Sequence, residues 1–327
     1  MINYYDIAKY ERRFKANTFF IGGRRIGKTF SAFSYMYDKQ PFLYMRNTET
    51  QLAECCTAFG NPFNKWNEVT GHTLHLKREE KHALILEGEK EDEHIVGYAA
   101  ALSLLGSLRG ADLSHIRVGL LDEFIEKRTL TYNQGKYYDD LYETINSNRE
   151  LEGEAPYIFI LLSNAQKLNN SILVRKNLVE PIEQMIASGQ QTWSNKNCFV
   201  CLPVSEVSEL KKQTQFYQGM EGSKTYAEAI ENKFANDSFY GIVKQRPLKE
   251  YVGVCRIDDI YIYKHKSNGK YYACNTQCLN LPEFTSRDNF SIFYRSFGKT
   301  LDVMAQLGQL EYSSFTVKSL LFEILKI

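Results

Sequence analysis

Gly22-Gly23-Arg24-Arg25-Ile26-Gly27-Lys28-Thr29 is the stretch that decides the fold of this 327-residue chain. It fits G-x-x-x-x-G-K-[ST], a loop whose backbone N–H groups close around phosphate oxygens. The flanks suit that reading. Asn17–Ile21 is an apolar, β-branched and aromatic run that reads as a strand feeding the loop, and Phe30–Tyr37 reads as the start of a helix. The glycines let the backbone curl so that its N–H groups point inward. The helix N-terminus adds positive dipole. Lys28 is then placed to bridge the β- and γ-phosphates of ATP, and Thr29 to hold Mg²⁺ through its hydroxyl. The competing reading is a glycine-rich strand-to-helix turn with no ligand.

Val118-Gly119-Leu120-Leu121-Asp122-Glu123 is an apolar strand ending in two carboxylates, the pattern of a Walker B segment. It is expected to lie beside the loop strand, with Asp122 holding the metal and Glu123 orienting and polarising the attacking water. Alternatively, the acids cap a helix starting near Phe124, because acidic groups favour first turns. Two acids rather than Asp122 alone favour hydrolysis over nucleotide storage.

Composition narrows the class. Apolar residues make up 43% of the chain and aromatic residues 13%, enough for a sizeable core and, at this length, for two domains. No run of eighteen apolar residues suggests a membrane span. Met1–Phe14 mixes charges among tyrosines and lacks the apolar centre of a signal peptide, so a cytosolic protein is expected. The seven cysteines are an odd number without a secretory signal, which argues against a disulfide framework. Cys198-Phe199-Val200-Cys201 has metal-like spacing but sits in an apolar strand pattern with no second ligand pair, so buried thiols are the better reading. A net charge of +1 neither demands nor excludes nucleic acid.

Apolar β-type runs at Asn17–Ile21, Phe42–Met45, Arg117–Leu121, Tyr157–Leu162 and Cys198–Leu202 alternate with helical patterns at Phe30–Asp38, Lys136–Asn146 and Ile172–Ala187. Such alternation implies parallel βαβ units. His72–Lys77 and His82–Glu87 alternate around a charged turn and read as an antiparallel hairpin. Ser205–Phe234 is helical and polar. Beyond Phe239 the texture becomes short strands, at Tyr251–Ile257, Ile260–His265, Lys270–Cys274 and Ser291–Tyr294, with a hairpin turn at Ser267-Asn268-Gly269. Two helical patterns, Phe297–Leu307 and Phe315–Ile324, close the chain. The division expected is an α/β P-loop domain over 1–204, a helical linker over 205–236 and a small α+β domain over 237–327.

Four further positions carry possible chemistry. Tyr157–Leu162 ends in Ser163 and Asn164. In P-loop ATPases with a strand added between loop and Walker B strands, such polar groups sense the γ-phosphate. An ordinary strand-end turn is the alternative, since Asn favours one. Arg46, at the end of a strand expected beside the loop strand, would touch nucleotide or Glu123; otherwise it is a surface arginine. Arg109 and Arg149 are candidate arginine fingers, groups worth about 10³–10⁵ in rate when supplied by a neighbouring subunit. Structural salt bridging is the alternative for each.

These segments together resemble the DNA-packaging ATPases of small tailed bacteriophages with protein-primed genomes, compact relatives of large-terminase subunits. The matching stretches are Phe20 to Thr29, Leu43-Tyr44-Met45-Arg46, Leu120-Leu121-Asp122-Glu123-Phe124, Ser147-Asn148-Arg149-Glu150 and Leu162-Ser163-Asn164-Ala165. The resemblance implies a RecA-like P-loop domain of the additional-strand (ASCE) type, a linker and a degenerate RNase H-like domain. It implies a homomeric ring, expected to be a pentamer, docked on the portal of a procapsid in the host cytoplasm and threading double-stranded DNA, in some relatives with a packaging RNA. It implies phosphate and Mg²⁺ binding by Lys28 and Thr29, metal binding by Asp122, catalysis by Glu123 and trans-acting roles for Arg149 and Arg109. Where the family often has basic residues after Arg46, this chain has Asn47, Thr48 and Glu49, so Lys127, Arg128 and Lys136 are the substitute DNA-contact candidates. No acid lies inside Tyr251–Ile257, and Asp258-Asp259 comes only at a turn. No nuclease activity is therefore expected. A helicase or another nucleic-acid-remodelling P-loop ATPase is the alternative.

Overall fold

A computed structural model describes residues 4–88, 92–104, 113, 115–126, 133–164, 168, 170–221, 223, 226, 241–243, 245–286 and 288–325. It divides into two compact units: Met1–Lys176 with Pro181–Asn236, and Asn177–Glu180 with Asp237–Ile327. Arg109, Lys127 and Arg128 lie outside the described residues.

The first unit is built on a nine-stranded sheet. In chain order its strands are β1 (Asn17–Ile21), β2 (Phe42–Arg46), β3 (His75–Glu79), β4 (His82–Glu87), β5 (His94–Ala101), β6 (Val118–Asp122), β7 (Ile158–Ser163), β8 (Thr192–Ser194) and β9 (Cys198–Cys201). Their order across the sheet is β3-β4-β5-β2-β6-β7-β1-β9-β8. From β5 to β9 all neighbours are parallel; the β3–β4 hairpin and β8 are antiparallel additions at the two edges. Buried on both faces, β1 and β6 are apolar through their centres, as central parallel strands tend to be, with Asn17, Thr18 and Asp122 as buried polar residues toward their ends. Phe19, Phe20, Phe159 and Phe199 are among the largest fully buried side chains, each contributing about 1.5–3 kcal/mol by leaving water.

Two expectations about neighbours are corrected. β6 does not lie beside the loop strand β1: β7 sits between them, pairing Ile21 with Ser163 on one side and Asp122 with Leu162 on the other. Nor does β2 lie beside β1; it pairs with β5 and β6. Periodicity marks these strands as central but carries no information about which central strands touch. That is decided by how the crossover helices fill the two faces.

A strand went unread at β5. Its Gly97, Ala99, Ala100 and Ala101 have low strand propensity. Packing supplies the reason for the small residues, since a Cβ on Gly97 would stand 2.5 Å from the Phe42 carbonyl oxygen. The expected helix Ile172–Ala187 is two helices, Ser171–Arg175 and Val179–Ser188, with Asn177 at φ +53 in the break. After β9, the polar stretch holds the helices Glu206–Lys212, capped by Ser205, and Gln215–Gln218.

The second unit is α+β. Strands β10 (Tyr251–Ile257), β11 (Ile260–His265), β12 (Tyr271–Cys274), β13 (Glu283–Phe284) and β14 (Leu310–Tyr312) are ordered β13-β10-β11-β12-β14. The central three form an antiparallel meander and the two edge strands run parallel to their neighbours. The turn at Ser267-Asn268-Gly269 joins β11 to β12, with Gly269 at φ +72. Ser291–Tyr294 is not a strand. Phe290–Phe293 is helical and continues through a π-turn, Tyr294–Gly298, into the helix Lys299–Gln306. Phe290, Phe293, Tyr294 and Phe297 follow helical spacing, and all four pack into the core of this unit.

Candidate nucleotide site

The parallel registers bring the C-terminal ends of β1, β7, β6 and β2 to one edge, where ligands bind in open α/β sheets. The loop after β1 leads into helix α1 (Lys28–Tyr37), whose N-cap is Gly27 at φ +104. Arg25 is also left-handed, at φ +55. The loop is pinned from two sides: Gly22 N donates to the Ser163 carbonyl at 3.1 Å, and Tyr5 N to the Ile26 carbonyl at 2.8 Å. Its residues Arg24 to Thr29, with Asp122, Glu123, Ser163 and Asn164, line a cleft of about 450 Å³.

Lys28 is buried, and its Nζ donates to the carbonyls of Gly22 at 3.1 Å and Gly23 at 2.6 Å. Burial pushes its ammonium down to about 8, against the pull of Asp122. Thr29 Oγ1 faces Asp122 Oδ1 at 3.4 Å. Asp122 is buried, and burial raises its pKa while the Arg46 guanidinium acts to lower it. A hydroxyl and a carboxylate side by side are the oxygen donors a hard cation such as Mg²⁺ takes, so the residues present fit that metal.

Arg46, at the end of β2, spans both acids: Nη2 to Glu123 Oε2 at 2.7 Å and Nη1 to Asp122 Oδ2 at 3.5 Å. Glu123 itself is left-handed at φ +54, with its N–H donating to Asp122 Oδ1 at 3.1 Å. That sharp turn is what lets two consecutive acids face one cleft. Ser163 Oγ accepts from Ile125 N at 3.3 Å, and Asn164 is half-buried at the cleft wall.

Other expected residues sit elsewhere. Arg149 is buried at the opposite end of β6, with Nη2 donating to the Ile116 carbonyl at 2.6 Å and Nη1 at 3.6 Å from Glu154. It is therefore not assembled with this chain's own cleft. Lys136 is exposed in the first turn of the helix Gln134–Asn146. Cys198 and Cys201 are buried thiols in β9, Tyr5 OH lies 3.0 Å from Cys201 Sγ, and all seven cysteines are free. Among the described residues no helix is long and apolar enough to cross a membrane.

Sequence reasoning missed three groups. Lys211, on the helix Glu206–Lys212, donates Nζ to the Arg24 carbonyl, and burial lowers its pKa. Asn47 is fully buried and Gln134 nearly so, both bonded to the main chain beyond Asp122. Thr48, which follows Asn47 in the loop otherwise expected to be basic, begins helix α2 (Glu49–Cys55) through a capping box with Gln51. That T-x-x-Q signal was present in the sequence.

A glycine-rich loop, two acids at the end of a strand one removed and a bridging arginine have the arrangement of the P-loop folds of the added-strand type. Residues 2–275 match the model of the podovirus DNA encapsidation protein (Gp16) family, and the chain belongs to that family. It is 25% identical over 244 residues to the DNA packaging protein of Bacillus phage B103, covering 72% of this chain and 69% of that one. Its fold is similar to the phi28 gp11 DNA packaging motor (TM-score 0.67, 17% identity, 99% of this chain and 98% of that chain). It is also similar to the bacteriophage phi29 genome packaging motor assembly (TM-score 0.63, 18% identity, 99% and 98%).

Proposed function

We propose that ATP hydrolysis in this cleft drives double-stranded DNA into a procapsid. The observation that carries the reading is the apposition of Lys28 and Thr29 to Asp122 and Glu123 across β7, with Arg46 joined to both acids. Lys28 binds the β- and γ-phosphates after exchanging its two loop carbonyls for phosphate oxygens. Thr29 and Asp122 would hold Mg²⁺, which would supply charge neutralisation at the transferring phosphoryl group. Glu123 positions and polarises water. In the present arrangement Arg46 neutralises that carboxylate, so hydrolysis requires Glu123 to turn from it toward the water. Ser163 and Asn164, on the strand between loop and acids, report whether the γ-phosphate is present.

In this reading the chain forms a homomeric ring, a pentamer, docked on the portal of a procapsid in the host cytoplasm, and a packaging RNA is a partner as it is in some relatives; the fold likeness to a packaging motor assembly supports assembly into such a machine. Arg149 lies away from its own cleft and is buried against the Ile116 carbonyl, so a role toward a neighbouring subunit's nucleotide requires it to leave that carbonyl. We extend the same trans role to Arg109, and DNA contact to Lys127, Arg128 and Lys136. The domains in this reading are 1–204 for the ATPase, 205–236 for the linker and 237–327 for a vestigial RNase H-like nuclease. Buried Cys255 stands inside β10, where an active enzyme wants an acid, and Asp258 and Asp259 fall at the β10–β11 turn. The domain accordingly does not cleave DNA.

The test is ATP turnover by the purified chain with and without long double-stranded DNA. DNA-stimulated turnover that disappears in Glu123→Gln and Arg149→Ala, and returns when Arg149→Ala is mixed with subunits supplying the arginine, supports a ring motor. Turnover indifferent to DNA and to Arg149 overturns it.

A further inference from the structure

The segment following Asp122 is held by side-chain amides that the proposed chemistry has not yet used. Asn47, immediately after β2, is fully buried. Its Nδ2 donates to the Glu123 carbonyl at 2.8 Å and to Glu126 Oε1 at 2.8 Å. Its Oδ1 accepts from Gln134 Nε2 at 2.5 Å. Gln134, the first residue of its helix and 3% exposed, also donates to the Phe124 carbonyl at 2.6 Å and accepts from Asn170 Nδ2 at 2.7 Å. Asn170 uses its Oδ1 to cap the helix Ser171–Arg175. Gln51 Nε2 donates to Glu126 Oε1 at 2.7 Å.

The direction of every bond is determined. Two acceptors, a carbonyl and a carboxylate, face the Asn47 amide nitrogen, so turning the amide over would set oxygen against oxygen. Gln134 is fixed in the same way by two acceptors on one side and one donor on the other. On the remaining side, Phe124 N donates to the Leu162 carbonyl at 3.1 Å. The two peptides that follow Glu123 are therefore held from three elements at once.

Glu123 needs this because it is left-handed, a conformation that a non-glycine residue keeps only where its surroundings impose it. Its carbonyl direction and the direction of its Cα–Cβ bond are set together by that backbone. We propose that Asn47 and Gln134 are positioning residues for hydrolysis, acting on Glu123 through its main chain; the proposal rests on Glu123 being the group that activates water. Neither residue faces the cleft, so neither is expected to contribute to nucleotide affinity.

The experiment measures kcat and KM for ATP with Mg²⁺, and affinity for a fluorescent ATP analogue, using the full chain. Asn47→Asp turns a double donor into an acceptor against a carbonyl and a carboxylate, and Gln134→Glu does the same against two oxygens. Each is expected to lower kcat by about 10²-fold, the cost of a catalytic group displaced by about 1 Å, with nucleotide affinity unchanged. In Asn47→Asp combined with Glu126→Gln and Gln51→Glu, the new amide at position 126 donates to the new carboxylates at 47 and 51, the two groups that donate to Glu126 Oε1 in the parent, and kcat is expected to recover in part. Glu126→Gln alone is expected to leave kcat near that of the parent. If Glu123→Gln abolishes turnover while both single variants keep the parent kcat, the proposal is overturned. Parallel loss of nucleotide affinity and turnover without recovery in the combined variant also overturns it, by assigning the amides a purely structural role. If Glu123→Gln itself keeps turnover, the reading of Glu123 fails first and is identified as the failure.

Discussion

The two sheets of this chain differ in what they do with the ends of their strands. In the nine-stranded sheet, four parallel strands end at one edge, and each end delivers something polar: the phosphate loop after Ile21, Arg46, Asp122 with Glu123, and Ser163 with Asn164. In the five-stranded sheet the central strands are antiparallel, so consecutive ends point to opposite edges, and β10 carries Cys255 and the half-buried Arg256 where chemistry would want acids. The contrast teaches that a parallel arrangement gathers reactive side chains by topology alone. An antiparallel meander gathers them only if individual residues are placed for it.

The largest expected effect tests that contrast directly. Glu123→Gln or Lys28→Ala should lower kcat for ATP hydrolysis by at least about 10²–10³-fold, while Asp258→Asn with Asp259→Asn should leave it unchanged. A loss of hydrolysis in the turn variant, measured by steady-state phosphate release, would break the division between the sheets. Next come the cores. Leu120 in β6 and Leu321 in the second unit are both fully buried, so truncation of either to Ala should cost about 2–5 kcal/mol in denaturant unfolding. Only Leu120→Ala should lower the denaturant concentration at which ATPase activity is lost.

Arg149→Ala should cost about 1–3 kcal/mol, because the Ile116 carbonyl loses a buried donor. The same variant separates two roles. A stability loss that accompanies full DNA-stimulated turnover would leave Arg149 as a structural brace and remove it from the motor. The smallest effect is a pH dependence. Burial brings Lys28 down to about 8, so its charged, phosphate-binding form is lost as pH rises through that value. The alkaline limb of kcat/KM should therefore fall near pH 8, and the limb of kcat should lie higher, because bound phosphate favours the ammonium. An alkaline limb at the same pH in both profiles would assign it to another group.

Legibility in the sequence followed local chemistry. Gly22 to Thr29 and Asp122-Glu123 were readable because phosphate and metal binding demand particular residue types at fixed local spacing. β1 and β6 were readable because strands buried on both faces carry consecutive apolar residues, Phe19 to Ile21 and Val118 to Leu121. β5 was not, because its alanines and Gly97 answer to the neighbouring strand rather than to strand propensity. The Phe290–Phe297 stripe was present but fell in a short segment where aromatic content suggested a strand. Asn47 stands where the family pattern leads one to expect a basic residue, yet the folded chain uses it as a buried amide.

The sequence by itself determined that a glycine-rich loop of phosphate-binding pattern and an acid pair exist, that most strands of the first unit alternate with helices, and that the last unit has a different texture. Each of these depends on residues close together in the chain. Tertiary structure decided that β7 separates loop from acids, that Arg46 reaches both carboxylates, that Arg149 faces away from its own cleft, and that Asn47 meets Gln134 across 87 positions. Those contacts depend on strand order, which is set when helices from distant parts of the chain compete to cover the same two faces of the sheet.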